Sequence, residues 1–160
     1  MVASIQPQEE EPMAVKAIPD EYHSVQPYLL VEDAAGLIEF IRATFGAEEA
    51  LRMPQPDGRI GHAEMRIGDS IVMLAEASTA EGSGEPMPAT VMTYVEDADA
   101  TFQRALEAGA TSLREPADQF YGDRSAGVVD PFGNHWWFHT HVEDVSPDEA
   151  ARRAQEQQGS

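Results

Sequence analysis

The sequence contains no cysteine. This absence excludes disulfides, thiolate nucleophiles and every zinc or iron–sulfur site that depends on cysteine ligands. Any metal ion would therefore need His, Asp or Glu as ligands. The chain also lacks a Gly-X-Ser-X-Gly nucleophile elbow and a glycine-rich phosphate loop, which leaves no motif for the corresponding hydrolase or nucleotide chemistry.

Positive charge is scarce. Ten Lys and Arg residues stand against 29 Asp and Glu residues, the formal net charge is −19, and Lys16 is the only lysine. Because phosphate binding requires clustered Lys and Arg, this balance argues against nucleic acid or an anionic membrane as a partner.

Long apolar runs are absent as well. No segment approaches the ~20 consecutive apolar residues that a membrane span needs. The first 13 residues, MVASIQPQEEEPM, lack the basic start and the apolar stretch of a secretory signal. We therefore expect a cytoplasmic protein.

The most informative segment is DPFGNHWWFHTHVEDVS, residues 130–146. Pro fixes φ and Gly-Asn tolerates positive φ, so the first five residues predict a tight turn that begins a strand. In that strand, alternation places His135, Trp137, His139 and His141 on one face. Trp136 and Phe138 fall on the other face, which we expect to be a helix-covered core.

The first half of the chain predicts an arm followed by a strand, a helix and three strands. Residues 1–24 are predicted to form a flexible N-terminal arm, and residues 25–77 a βαβββ module. Within it, strands are expected at 25–31, 47–53, 60–67 and 70–77. Residues 78–89, rich in Gly, Ser, Glu and Pro, are the predicted linker.

The second half repeats the first. Val-Glu-Asp-Ala at 31–34 recurs at 95–98, Gly-Ala at 46–47 recurs at 109–110, and Leu-Arg at 51–52 recurs at 113–114. A second βαβββ module is therefore predicted over residues 90–142. Residues 143–160 form an acidic tail, with a polar helix predicted at 147–157.

This duplicated unit, ending in Asp-Pro-Phe-Gly-Asn, resembles the vicinal oxygen chelate superfamily of glyoxalase I, bleomycin resistance proteins and extradiol dioxygenases. The runs YHSVQPYLLVEDA, HAEMRIGDSIVML and QFYGDRSAGVVDPFGN resemble its PhnB-like subgroup. The resemblance implies an α+β fold in which two tandem modules form a curved mixed sheet around a cavity. It also implies a homodimer.

In metal-dependent members of this superfamily, the ligands come from the first and fourth strands of each module. Counting from the repeated motifs, the matching positions are Gln26, Met73, Thr90 and Trp137. None is a His or a carboxylate, and a catalytic divalent cation needs about three strong donors. We therefore expect no metal and no cofactor at these positions.

A relocated site is the alternative. His62 and Glu64 share one strand face, as do His139 and His141, so each pair points into one volume. Together they would supply metal ligands, and His62, Glu64 and His139 are also the candidate catalytic acid/base groups. Strand spacing alone does not bring the two pairs together.

The residues expected to line the cavity are mostly apolar or neutral, which suits a flat organic ligand. The ligand-binding prediction comprises Gln26, Tyr28, Met73, Thr90, Met92, Tyr121, Arg124 and Trp137. Arg124 would pair with a ligand anion, or else with Asp123 or Asp130. The expected function is metal-independent binding and sequestration of a small aromatic or hydrophobic molecule, with a lyase or isomerase as the alternative.

Overall fold

The computed structural model describes residues 14–78 and 82–159. Most of the predicted arm, residues 1–13, and part of the predicted linker, residues 79–81, lie outside the described residues. Within the described part, no helix combines the length and the apolar character needed to cross a membrane.

Residues 14–78 and 82–159 contain eleven elements, in the order β-α-β-β-β, β-α-β-β-β and a final helix. They are β1 (Tyr28–Val31), α1 (Ala34–Phe45), β2 (Glu48–Pro54), β3 (Ile60–Ile67), β4 (Ser70–Glu76), β5 (Thr90–Tyr94), α2 (Ala98–Glu107), β6 (Thr111–Asp118), β7 (Asp123–Val129), β8 (His135–His141) and α3 (Pro147–Gln158).

Each module forms its own four-stranded mixed sheet, in the order β1-β4-β3-β2 and β5-β8-β7-β6. The first strand of each sheet pairs in parallel with the fourth, and the other pairs are antiparallel. The predicted α+β fold of two tandem βαβββ modules is confirmed. The two sheets are separate: among the described residues, no strand of one is hydrogen-bonded to a strand of the other.

Sequence signals mark the ends of the module helices. Asp33 caps α1 by accepting a hydrogen bond from Gly36 N, and Gly46 ends the helix at φ 64°. Asp97 caps α2 in the same way, accepting from Ala100 N. A side-chain oxygen at the N-cap satisfies a backbone N–H that the helix leaves unpaired. The recurring Glu-Asp-Ala is thus the start signal of both module helices.

One hydrophobic core joins the two modules. Leu29, Met65 and Leu74 of the first sheet belong to the same buried cluster as Trp136 and Phe138 of the second. Phe45 of α1 bridges the modules, with its ring centroid 5.4 Å from Trp136 and 5.6 Å from Phe138. The core-facing prediction for Trp136 and Phe138 is confirmed, since both are fully buried.

The start of the first strand was predicted too early. β1 begins at Tyr28, Val25 is 82% exposed, and the Gln26 side chain donates to the carbonyl of His23. The apolar composition of residues 25–31 suggested a strand, but Pro27 cannot donate a ladder hydrogen bond.

The turn at 130–134 is built around one buried carboxylate. Oδ1 of Asp130 accepts from the backbone N–H groups of Phe132 and Asn134, at 2.8 and 2.9 Å. Oδ2 accepts from Asn134 Nδ2 and Trp136 Nε1, both at 2.9 Å. Asp130 is only 4% exposed, so these four bonds replace the water that the carboxylate loses on burial.

Candidate functional site

Each sheet has one face turned to the shared core and one face turned away from it. We call the face turned away from the core the open face of each sheet. The first open face, on the first sheet, carries Tyr28, His62, Glu64 and Met73. The second open face, on the second sheet, carries Met92, Tyr94, Asp123, Trp137 and His139. The register places Tyr28 beside Met73 and Met92 beside Trp137. Tyr28, Met92 and Tyr94 are 49%, 54% and 64% exposed. Large apolar side chains therefore remain uncovered on both faces.

The first open face carries a chain of hydrogen bonds around Glu64, which is 6% exposed. The hydroxyl of Tyr22 donates to Glu64, with oxygen–oxygen distances of 2.9 and 3.1 Å. His62 Nε2 lies 3.0 Å from the same carboxylate, and His62 Nδ1 lies 3.1 Å from the Tyr28 hydroxyl. His62 and Glu64, which the sequence predicts to share one strand face, are therefore in direct contact.

The second open face is organised around Asp123, which is 3% exposed. Tyr94 donates its hydroxyl proton to Asp123 over 2.9 Å, and His141 Nδ1 lies 2.8 Å away. The other nitrogen of His141, Nε2, lies 2.8 Å from Asp144. One imidazole thus bridges a buried and an exposed carboxylate.

These contacts shift the titration of all three groups. Burial alone would raise the pKa of Asp123, but hydrogen bonds from His141 and Tyr94 outweigh it and lower that pKa. The pKa of His141 is raised, first by Asp144 and then by Asp123. The pKa of Tyr94 is raised because its hydroxyl donates to the Asp123 carboxylate.

His139 is the most unusual member of this face. Its Nδ1 lies 3.4 Å from Asp123 Oδ2, but the alignment does not make a hydrogen bond, and this buried nitrogen has no other partner among the described residues. The ring of Tyr121 stacks against His139 at a centroid distance of 6.3 Å. Two predicted site residues, His139 and Tyr121, are therefore in contact.

One row across the second sheet combines a cation, a glycine and two apolar side chains. Arg114, Gly127, Trp137 and Met92 are neighbours on β6, β7, β8 and β5. A Cβ at Gly127 would lie 2.5 Å from the Trp137 ring, so the indole lies directly across the glycine. The Arg114 guanidinium then sits 4.7 Å from the Trp137 ring centroid, within cation–π range.

The four superfamily metal positions do not converge in this chain. Gln26 precedes β1 and Met73 lies on the first sheet, whereas Thr90 and Trp137 lie on the second. The side chains at these positions do not fit a catalytic cation, because an amide, a thioether, a hydroxyl and an indole are not the donors it needs.

The alternative metal site is not assembled within one chain either. His62 and Glu64 lie on one sheet, and His139 and His141 on the other. Across residues 14–78 and 82–159, no three His, Asp or Glu side chains are grouped as ligands of one ion.

Arg124 does not pair as the sequence predicts. It was expected at the cavity rim, paired with a ligand anion or with Asp123 or Asp130. The structure instead pairs it with Asp99 of α2 and Asp118 of β6. Arg124 alternates with Asp123 and Ser125 along β7, so it points to the helix side, and its role there is to attach α2 to the sheet.

Sequence reasoning missed four residues of these faces. Tyr22 was assigned to a flexible arm, yet it contacts Glu64. Asp123 and Tyr94 lie at strand ends, where parity is hard to assign from sequence. The Leu-Arg repeat aligns Arg114 with Arg52. In the structure, however, Leu51 pairs with Glu64 on β3, and Arg114 pairs with Gly127, which is the equivalent position on β7. Arg114 therefore occupies the place of Leu51, one residue from the alignment.

A cleft of about 1140 Å³ opens between the modules. Its walls are the β3–β4 turn at residues 67–70 and the segment 93–97. Tyr94 and His141 belong to its lining, so the cleft meets the second open face at the Asp123 cluster. A small molecule bound on the second open face could therefore extend into this cleft.

Comparison with known proteins agrees with this architecture. The family model described as Glyoxalase/Bleomycin resistance protein/Dioxygenase superfamily matches residues 22–138. An uncharacterized protein of Mycobacterium tuberculosis is 40% identical over 150 residues, covering 89% of this chain and 86% of that protein. An uncharacterized protein of Mycobacterium bovis is 42% identical over 134 residues, covering 79% and 88%.

Among solved structures, TioX from Micromonospora sp. ML1 superimposes with a TM-score of 0.61 at 28% sequence identity. The match covers 74% of this chain and all of TioX. A mutant of glyoxalase I from Zea mays superimposes with a TM-score of 0.60 at 21% identity, which shows likeness of fold alone. That match covers 72% of this chain and 46% of the maize chain.

Proposed function

Because the chain belongs to the glyoxalase/bleomycin resistance/dioxygenase superfamily, we propose that it binds a small aromatic or hydrophobic organic molecule without a metal and sequesters it. The observation that carries this proposal is the composition of the open faces. In metal-dependent relatives, these parts of the strands would direct donors toward a cation. Here the side chains at or beside those places are Trp137, Met92 and Tyr28, which offer flat, apolar contact area.

A second copy of the chain completes the proposed site. Tyr28, Met92 and Tyr94 are too exposed to form a closed pocket within one chain. Met92 and Tyr94 are two residues apart on the second open face, and exposed apolar side chains grouped in this way are typical of an interface. In a symmetric dimer, an open face of one protomer would cover an open face of its partner and enclose the ligand between them.

The dimer is tested by sedimentation velocity on the full chain. Met92→Glu places a charge on the second open face and should shift the chain to monomer. Ala43→Glu, on the exposed side of α1, is the control and should leave the dimer intact. A wild-type chain that stays monomeric at protein concentrations well above the ~1 μM dissociation constant of a modest interface would contradict this part of the proposal.

Binding is tested by a thermal-shift screen of aromatic compounds, because a ligand that binds only the folded state raises its melting temperature. Trp137→Ala should abolish the shift, whereas Gln103→Ala on the exposed side of α2 should not. Stabilisation by no compound, or stabilisation that survives Trp137→Ala, would overturn the proposal.

One observation favours a second candidate, a lyase or isomerase. His139 lies beside a buried carboxylate with its Nδ1 unsatisfied among the described residues. An imidazole held next to Asp123 is suited to general acid/base catalysis. Mass spectrometry of bound compounds after incubation separates the two functions. Compounds recovered unchanged support sequestration, whereas conversion by the wild type and not by His139→Gln supports the enzyme.

A further inference from the structure

We infer that the ligand of the second open face carries an anionic group, most simply a carboxylate attached to its ring system, and that Arg114 recognises it. This inference rests on the proposed binding function and specifies the chemical class of its ligand. The sequence repeat did not place Arg114 on this face.

Arg114 is set apart from most arginines of this acidic chain. The arginines that pair with a carboxylate are Arg42, Arg52, Arg59, Arg124, Arg152 and Arg153. Arg114 has no carboxylate within ion-pair distance in the described part of the chain. Its contacts are the hydroxyl of Ser125, to which Nη2 donates over 2.6 Å, and the Trp137 ring.

Those two contacts fix the guanidinium without neutralising it. Ser125 is fully buried, so it is a rigid anchor for one nitrogen. The indole of Trp137 holds the guanidinium at 4.7 Å. A guanidinium has five N–H donors, and these contacts leave most of them available. Their fork geometry matches the two oxygens of a carboxylate.

The surroundings select an aromatic anion over a simple one. On the same row, Trp137 and the 54% exposed Met92 extend the apolar surface from the guanidinium across the sheet. A planar ring can lie on this surface while its carboxylate meets Arg114 at one end. An inorganic anion would use the charge alone and leave the apolar surface in contact with water.

Gly127 is what makes this arrangement possible. Any side chain there would collide with the Trp137 ring, whose nearest atom lies 2.5 Å from the ideal Cβ position. With glycine, the indole lies across β7 and reaches Arg114 on β6. The first module has Glu64 at the equivalent place, so only the second open face offers this platform among the described residues.

The net charge of −19 works against anion binding at long range, but screening limits that effect. The Debye length at physiological salt is about 8 Å. Contacts made directly by the guanidinium are far shorter, so Arg114 determines the local preference.

The test compares 1-naphthoate with its neutral analogue 1-naphthamide, titrated calorimetrically into the full chain at physiological salt, ~0.15 M. The wild type should bind 1-naphthoate roughly tenfold tighter than 1-naphthamide, the ratio expected for one charge-assisted contact. Arg114→Gln should remove this preference. Arg114→Lys should retain only part of it, because lysine lacks the forked N–H donors of a guanidinium. Melting temperatures confirm that the variants are folded.

The outcomes separate this inference from the proposed function. Equal binding of the two compounds, or a preference that survives Arg114→Gln, overturns the inference alone. A variant with a weakened dimer and unchanged naphthoate binding shows that Arg114 pairs with the second copy, which also overturns it. If neither compound binds and the aromatic screen also fails, both the proposed function and the inference fall.

Discussion

Trp136 Nε1 donates a hydrogen bond to Oδ2 of Asp130 over 2.9 Å, which ties the largest buried side chain of the core to the turn that precedes its strand. The same carboxylate orders the turn itself through Phe132 and Asn134. A single aspartate therefore sets both the path of the backbone and the rotamer of the buried indole.

Asp130→Ala should be one of the most destabilising single substitutions in the chain. It leaves the buried donors of Asn134 and Trp136 without their acceptor. We expect a loss on the order of 3 kcal/mol in the free energy of unfolding, measured by urea denaturation. Asp20→Asn, at an exposed carboxylate, is the control. A loss below ~1 kcal/mol would show that water replaces the carboxylate.

Gly127→Ala should disturb the Trp137 platform without reaching the core directly. The added methyl group would displace the indole, at a cost of about 1–3 kcal/mol in folding free energy, and would remove the Arg114–Trp137 contact. Combining it with Trp137→Ala should recover part of that loss, because the collision disappears. Strictly additive effects of the two substitutions would contradict the described packing.

The His141 bridge should make stability depend on pH. Because contact with Asp144 and Asp123 raises the folded-state pKa of His141, its contribution is complete below the unfolded-state value of ~6.5. It declines as pH rises through the folded-state pKa. The stability difference between wild type and His141→Gln should be largest near pH ~5 and smallest near pH ~9. Equal differences at both pH values would refute this.

The contribution of Asp123 to stability depends on pH in the opposite direction. Its pKa is lowered in the folded state, so its contribution is present above the unfolded value of ~3.9 and is lost as pH falls through the lowered pKa. His135→Gln is the matched histidine control, because His135 is also exposed on β8 but, among the described residues, is not paired with a carboxylate as His141 is.

Phe45→Ala should weaken the attachment between the modules. The ring contacts Trp136 and Phe138 across the module boundary, and its loss leaves a void on a fully buried surface. We expect destabilisation of about 2 kcal/mol, below the range for a completely buried phenylalanine because Phe45 is only half-buried. Hydrogen exchange should rise on both sheets together, and a rise confined to the first module would contradict a bridging role.

The fold was predictable because repeated signals agreed. Helix caps at Asp33 and Asp97, and alternation at Trp136 and Phe138, each specify local structure that the core then buries. The site was less predictable. Bulges lie at equivalent places in β2, between Glu49 and Leu51, and in β6, between Ser112 and Arg114. They change which residues face outward, and the Leu-Arg repeat does not show that Arg114 corresponds to Leu51. Tyr22 reaches Glu64 across 42 residues, and no local pattern encodes such a contact.

Arg104 of α2 donates from Nε to the carbonyl oxygen of Thr44, 2.9 Å away at the end of α1. The terminal carbonyls of a helix find no donor within it, and a positive charge suits that negative end of the helix dipole. A side chain of the second module thus caps the C-terminal end of the helix in the first module. The two modules are therefore not equivalent in the folded chain. If the first module were expressed by itself, the end of α1 would fray and the apolar surface that packs against the second module would be exposed to water.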